Sequence, residues 1–216
     1  MSDQTHHHHA SHDHGPLQPD IEDTPPTHYQ LMTQAVGDLL LKKGIITPGE
    51  LRATIESIDS KSPMLGTKVV ARAWVDADFK ARLLENTNIA ANELGIDTGA
   101  IHIKTVENTA DVHNVVVCTL CSCYPRLLIG LPPDWYKSRA YRSRTVREPR
   151  AVLAEFGTHI SDDVEVRVHD STADLRYLVL PKRPPGTDGW SEERLAALVT
   201  RDTMIGVTEI ADPAGA

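Results

Sequence analysis

Three thiols crowded at the end of an apolar run constrain this chain more than any other feature. Val115-Val116-Val117 is a short β-prone run, and Cys118-Thr119-Leu120-Cys121-Ser122-Cys123 follows it directly. Cys118, Cys121 and Cys123 are all the cysteines in the 216 residues. An odd count at such tight spacing disfavours a disulfide framework and suits a reducing compartment or a metal. In the pattern C-x-x-C-x-C the first two thiols face one point across a turn. Cys121 and Cys123 flank Ser122 so closely that the backbone between them faces the same point. A metal held there sits against the amide nitrogens of Ser122 and Cys123. A strongly Lewis-acidic ion displaces those amide protons and binds nitrogen. The set is then three sulfurs and two nitrogens in a square pyramid, with a sixth position open. An open position separates a catalytic site from a closed structural one.

Other uses of the thiols remain open on pattern alone. A structural zinc site takes four side-chain ligands, and His102 or His113 is available as a fourth. An iron–sulfur cluster usually takes four thiolates, and only three exist. Redox C-x-x-C chemistry leaves Cys123 without a role, and no thioredoxin-like βαβ unit is evident.

Composition narrows the partners. The net charge of −8 argues against nucleic acid, which is bound through basic surface. No apolar run approaches the roughly 20 residues of a membrane span, and no apolar segment at the start reads as a secretory signal. The expected location is the cytoplasm, with no membrane partner.

Along the chain, residues 1–27 read as a disordered tail. It holds His6, His7, His8, His9, His12 and His14 and four prolines but few large apolar groups, too little to offset the entropy of ordering. Such imidazoles also suit transient metal capture. Tyr29 to Leu40 shows helical spacing up to Gly44. Thr47-Pro48-Gly49-Glu50 has the capping-box form and starts a second helix ending near Asp59. A third is expected over Leu65 to Trp74. Asp76 caps a fourth that runs to Leu94 and closes at Gly95. The period then changes to strand-like alternation at Ile101 to Val106, followed by Asn114 to Val117. A short helix is expected through Trp135 and Tyr136, and another from Glu148-Pro149-Arg150 to Gly157. Val164 to Val168 and Leu175 to Leu180 read as a β-hairpin about a polar turn at Asp170-Ser171. A last helix starts at Ser191 and ends near Arg201, and Met204 to Ile210 reads as a final strand. The fold class expected is α+β: a helical N-terminal half, 28–95, followed by a mixed α/β metal-binding, catalytic domain, 96–210. Tyr136, Arg139, Tyr141, Arg142, Arg144 and Arg147 form a basic, aromatic stretch suited to a heteromer interface.

The loop Val117-Cys118-Thr119-Leu120-Cys121-Ser122-Cys123-Tyr124 resembles the metal-binding loop of the nitrile hydratase α subunit family, which includes the γ subunit of thiocyanate hydrolase. Similarity continues through Glu107-Asn108-Thr109, Val112-His113-Asn114, Gly130-Leu131-Pro132-Pro133, Trp135-Tyr136-Lys137, Val146 to Arg150, Arg176 to Pro181 and Thr200 to Val207. The resemblance implies a non-corrin cobalt(III) or a non-haem iron(III), and Thr119 is similar to the cobalt variant of the loop. It implies that Cys118 stays a thiolate, that Cys121 becomes a sulfinate and Cys123 a sulfenate, and that the Ser122 and Cys123 amides supply the nitrogens. It further implies a β-type partner subunit whose arginines bond the oxidised sulfurs, an activator protein that loads the metal, and hydration of a nitrile to an amide by Cys121 and Cys123. One position departs. Nitrile hydratases commonly follow Tyr-Pro with an aromatic residue, whereas here Arg126 follows Pro125, as in thiocyanate hydrolase γ subunits. A fixed cation there favours an anionic substrate such as thiocyanate, and a carboxylate of a partner is its other natural contact. A non-catalytic metal-binding module is the reading from a different class.

Overall fold

The computed structural model describes residues 25–211 and 213, so the histidines of the tail lie outside the described residues. The chain divides into two units, Met1–Ala53 and Thr54–Ala216. Helix α1 (His28–Lys42) starts at a Thr27 capping box and carries no buried residue. Helix α2 (Pro48–Asp59) starts as expected: the Thr47 amide donates to Glu50 Oε2 at 2.8 Å, and the Glu50 amide donates back to Thr47 Oγ1 at 3.2 Å.

Helix α3 (Pro63–Val75) buries Val69, Val70, Ala71 and Ala73. The expected long fourth helix is two, α4 (Ala77–Glu85) and α5 (Thr87–Glu93). Asn86 adopts an extended conformation and its side chain accepts from the Ile89 amide. Asparagine competes with the helix as a cap, and the new helix axis still buries Ala90 and Ala91.

Strand β1 (His102–Glu107) buries Ile103 and Thr105 and exposes His102 and Lys104, the alternation its sequence carries. Strand β2 (Val112–Val117) is buried from His113 onward. Four short helices follow: α6 (Arg126–Ile129), α7 (Asp134–Lys137), α8 (Arg139–Arg144) and α9 (Pro149–Glu155). Strands β3 (Glu165–Asp170) and β4 (Leu175–Leu180) come next, then α10 (Glu192–Ala196), capped by Ser191, and α11 (Arg201–Ile205).

The β3–β4 hairpin does not form. β4 pairs parallel with β1, and β3 pairs parallel with β2. The link between them turns locally through Thr172, whose hydroxyl accepts from the Asp174 and Leu175 amides. The Ser171 amide, however, donates to Val117 O at 2.7 Å and prolongs the β2–β3 ladder. Alternation tells which face of a strand is buried, not which strand lies beside it. The expected final strand is also absent. Met204 and Ile205 end α11, which a Thr200–Thr203 capping box starts. The architecture is α+β, with α3, α4, α5 and the strands sharing one apolar core that includes Leu83, Ile103, Val115, Leu128, Leu178 and Met204.

Gly206 locks α11 onto β2. Its φ is +86°, and a Cβ there would lie 2.0 Å from the Asn114 carbonyl oxygen. Its own carbonyl accepts from the buried His113 Nε2 at 2.8 Å. Left-handed strain and a backbone clash add, so Gly206→Ala is expected to cost on the order of 3 kcal/mol, read as a lower urea midpoint of the full chain. Gly37→Ala, with nothing within 4 Å of its Cβ position, should leave the midpoint unchanged or slightly raised.

Burial holds the His113 imidazole, and that of the half-buried His169, below the ordinary value of 6.5. The unfolded chain therefore takes up these protons first as pH falls. Their contribution is complete above pH 6.5 and is lost as pH falls through the folded values. The urea midpoint should stay level from pH 8 to 7 and decline below about pH 6.5. A midpoint that rises between pH 6.5 and 5 contradicts this.

Candidate metal centre

The thiols stand where β2 ends. Val115, Val116 and Val117 are buried, and so is Cys118. Because β2 and β3 run parallel with Val117 opposite Asp170, the carboxylate at the end of β3 meets the first residues of the cysteine loop. The Thr119 amide donates to Asp170 Oδ1 at 2.9 Å, and its hydroxyl donates to Oδ2 at 2.6 Å. Arg142, from α8, donates through Nη1 to Leu120 O at 3.0 Å. Tyr136, from α7, donates its hydroxyl to Cys123 O at 2.8 Å, and Tyr141 donates to Val116 O at 2.6 Å. Four side-chain bonds from three elements thus fix a loop with no regular structure of its own, and a fifth, from Tyr141, holds the strand end that leads into it.

The aromatic stretch is consequently internal at its core. Tyr136 and Tyr141 are buried and stack edge-on with Trp135, which also meets Phe156 at 4.7 Å. Arg144 pairs with Glu148 and Glu155 within the chain. The two tyrosines are therefore not available to a partner. The sequence pattern misled because tyrosine suits a core and an interface alike when its hydroxyl finds an acceptor.

Inside this frame the sulfurs converge. Cys118 Sγ and Cys121 Sγ are 3.6 Å apart, Cys121 Sγ and Cys123 Sγ 3.3 Å, and all three lie within 4.8 Å of one another. These separations exclude a disulfide, whose sulfurs are about 2 Å apart. A metal–sulfur bond of about 2.3 Å would put two sulfurs about 3.3 Å apart at a right angle and about 3.8 Å apart at the tetrahedral angle. The Cys118–Cys121 and Cys121–Cys123 distances lie in that range, so the donor set fits a metal ion, with the Ser122 and Cys123 amides in the short segment between the last two thiols. Bonding from the Cys123 thiol, then from the Ser122 amide, holds the Cys121 thiol below its ordinary value, while burial pushes Cys123 up to about 12.

No histidine joins the cluster. Among the described residues the three cysteines form the only group of three or more such side chains gathered around one point. His113 is engaged with Gly206 and Asn108 in the core, and His102 is exposed on β1. Glu107 pairs with Lys80 rather than with the loop.

Cys121, Ser122 and Cys123 open onto a cavity of about 730 Å³, which Arg126 also lines. Cys118 is buried and does not line it. The cavity has apolar walls from Ile101, Leu127 and Leu131, and its charged lining is Arg126, Asp134, Lys137 and Arg176. The positive charge of Arg176 bears on Cys123; its Nε and Nη1 are out of solvent and have no hydrogen-bond partner. Sequence reasoning placed the thiols, Ser122 and Arg126 at the site. It gave no role to Asp170 or Arg176, and it placed Arg142 at an interface. Asp170 is 51 residues from Thr119, and no local pattern announces the pair.

Comparison with known proteins identifies the family. The family model described as nitrile hydratase, alpha chain, matches residues 27–208. The cobalt-containing nitrile hydratase subunit alpha of Pseudonocardia thermophila is 50% identical over 179 residues, 81% of this chain and 87% of that one. The thiocyanate hydrolase subunit gamma of Thiobacillus thioparus is 38% identical over 191 residues, 83% of this chain and 79% of that one. Among solved structures, a double mutant of the Fe-type nitrile hydratase from Comamonas testosteroni Ni1 superposes with a TM-score of 0.79 at 40% identity, covering 88% of this chain and 94% of that one. With a family model spanning nearly all described residues and half the positions shared with a relative, this chain belongs to the nitrile hydratase α-chain family.

Proposed function

We propose that this chain is the metal-binding catalytic subunit of a cobalt-type nitrile hydratase, a hydro-lyase that adds water to a nitrile to give the amide. The observation that carries this is the convergence of three sulfurs, two of which open onto a cavity. A closed zinc site would have a fourth side-chain ligand, and the described residues offer none at the cluster. The metal we assign is non-corrin cobalt(III), on the cobalt-containing relative and on Thr119; iron(III) is the alternative, given the likeness to an Fe-type enzyme. Cys118, Cys121 and Cys123 would hold it through sulfur, and Ser122 and Cys123 through their amide nitrogens. The site and its cavity wall lie within residues 96–210, which we assign as the catalytic segment, after a helical region at 28–95.

When bound, the ion supplies a Lewis-acidic open position that polarises a C≡N group. The remaining work falls to this chain. Cys123, oxidised to a sulfenate, turns an anionic oxygen toward the cavity, as nucleophile toward the nitrile carbon or as base for the water that attacks it. Cys121, as a sulfinate, is a weaker donor than a thiolate, which keeps the ion acidic. Asp170, Arg142 and Tyr136 hold the loop so that these groups keep their aim. Oxidised sulfurs are anionic acceptors and need cations. Arginines of a β-type partner subunit meet them, so activity requires a heteromer, and an activator protein loads the metal. We assign the complex to the cytoplasm; no helix among the described residues is long and apolar enough to cross a membrane.

A second reading, the γ subunit of a thiocyanate hydrolase, is favoured by Arg126 on the cavity wall. One preparation separates these. The chain is produced with its partner subunits and activator, weighed intact and assayed with acetonitrile, benzonitrile and thiocyanate. We expect two added oxygens on Cys121, one on Cys123, one cobalt per chain, and amide formation from the nitriles. Thiocyanate turnover without nitrile hydration assigns the second reading. Zinc with reduced thiols and no turnover sinks both and leaves a non-catalytic metal-binding module.

A further inference from the structure

The charged residues lining the cavity are Arg126, Asp134, Lys137 and Arg176, and two of them are each other's counterpart. Lys137 Nζ and Asp134 Oδ1 pair at 3.0 Å, so their charges cancel. Arg176 stands on the thiol side, its charge bearing on Cys123; its Nε and Nη1 are out of solvent and unpartnered, and the sulfur set, once oxidised as proposed above, would be its natural complement. Arg126 is left over. It is exposed at the start of α6, and among the described residues its guanidinium has no ion pair and no hydrogen bond. It stands beside the apolar side chains of Leu127 and Leu131. The cavity, at about 730 Å³, falls in the range of sites that enclose drug-sized ligands. A linear three-atom anion would leave most of it to water.

We propose that the substrate this cavity selects is a nitrile bearing a carboxylate at the end away from the C≡N group. The proposal rests on the hydration reading above and names its substrate class. Arg126 grips the carboxylate through its planar fork, which matches two carboxylate oxygens. The body of the substrate lies against Leu127, Leu131 and Ile101. The C≡N group reaches Cys123. The reaction is R–C≡N plus water giving R–CO–NH₂, with the carboxylate unchanged.

The test uses the assembled, metal-loaded complex and matched pairs: 4-cyanobenzoate against 4-cyanobenzamide, and 3-cyanopropanoate against 3-cyanopropanamide. In each pair the carboxylate should show a kcat/KM higher by about tenfold or more, mainly through KM, and high salt should shrink the ratio. Arg126→Gln should bring the ratio to near unity, and Arg126→Lys should keep part of it. Neutral nitriles hydrated as well as or better than the acids overturn this proposal alone, as does a ratio that survives Arg126→Gln. Failure to hydrate any nitrile overturns the hydration reading and this inference with it.

Discussion

The parallel pairing of β2 with β3 is the constraint on which the site depends. It sets Val117 opposite Asp170 and thereby puts a carboxylate where the cysteine loop begins. Both oxygens of Asp170 are used on Thr119, one on the amide and one on the hydroxyl. Without the β2–β3 ladder the buried strand β2 would carry unsatisfied backbone groups, each costing about 1–3 kcal/mol. Parallel strands need a long crossover, and here the crossover between β2 and β3 carries the loop itself and α6 to α9. The connection that builds the sheet therefore also supplies Tyr136 and Arg142, whose bonds hold the loop from the other side, and Tyr141, which holds the end of β2.

Rigidity of this kind has a chemical purpose. Three sulfurs within 4.8 Å of one another repel once ionised, and a free loop would splay them. The loop is held at Thr119, Leu120 and Cys123, by groups that touch backbone or hydroxyl and leave the thiols alone. The scaffold thus fixes direction while the donor atoms stay available. Cys118 is buried and Cys121 exposed, so one end of the set is sealed and the other faces the cavity.

The loop was legible in the sequence because its chemistry is local: C-x-x-C-x-C needs no distant residue to bring three thiols together. The caps at Thr47, Asp76 and Ser191 were legible for the same reason, since each acts within three residues. What escaped was non-local or rested on a local signal read the wrong way. β3 and β4 alternate as a hairpin does, yet each takes a partner far away in sequence. Asp170 looked like turn material, and its role exists only once β3 is in place. Asn86 and the Thr200–Thr203 box were local signals passed over: the first ends one helix and caps the next, and the second starts a helix where apolar Met204 and Ile205 suggested a strand.

We propose that this loop holds a metal through three sulfurs and two backbone nitrogens. X-ray absorption at the metal edge of the matured complex tests it most directly. Cobalt is expected with three sulfur scatterers at about 2.3 Å, two nitrogen scatterers at shorter distance, and a sixth light ligand that changes when an inhibitor or substrate is added. A four-coordinate shell that includes an imidazole, or a shell with fewer than three sulfurs, would contradict it.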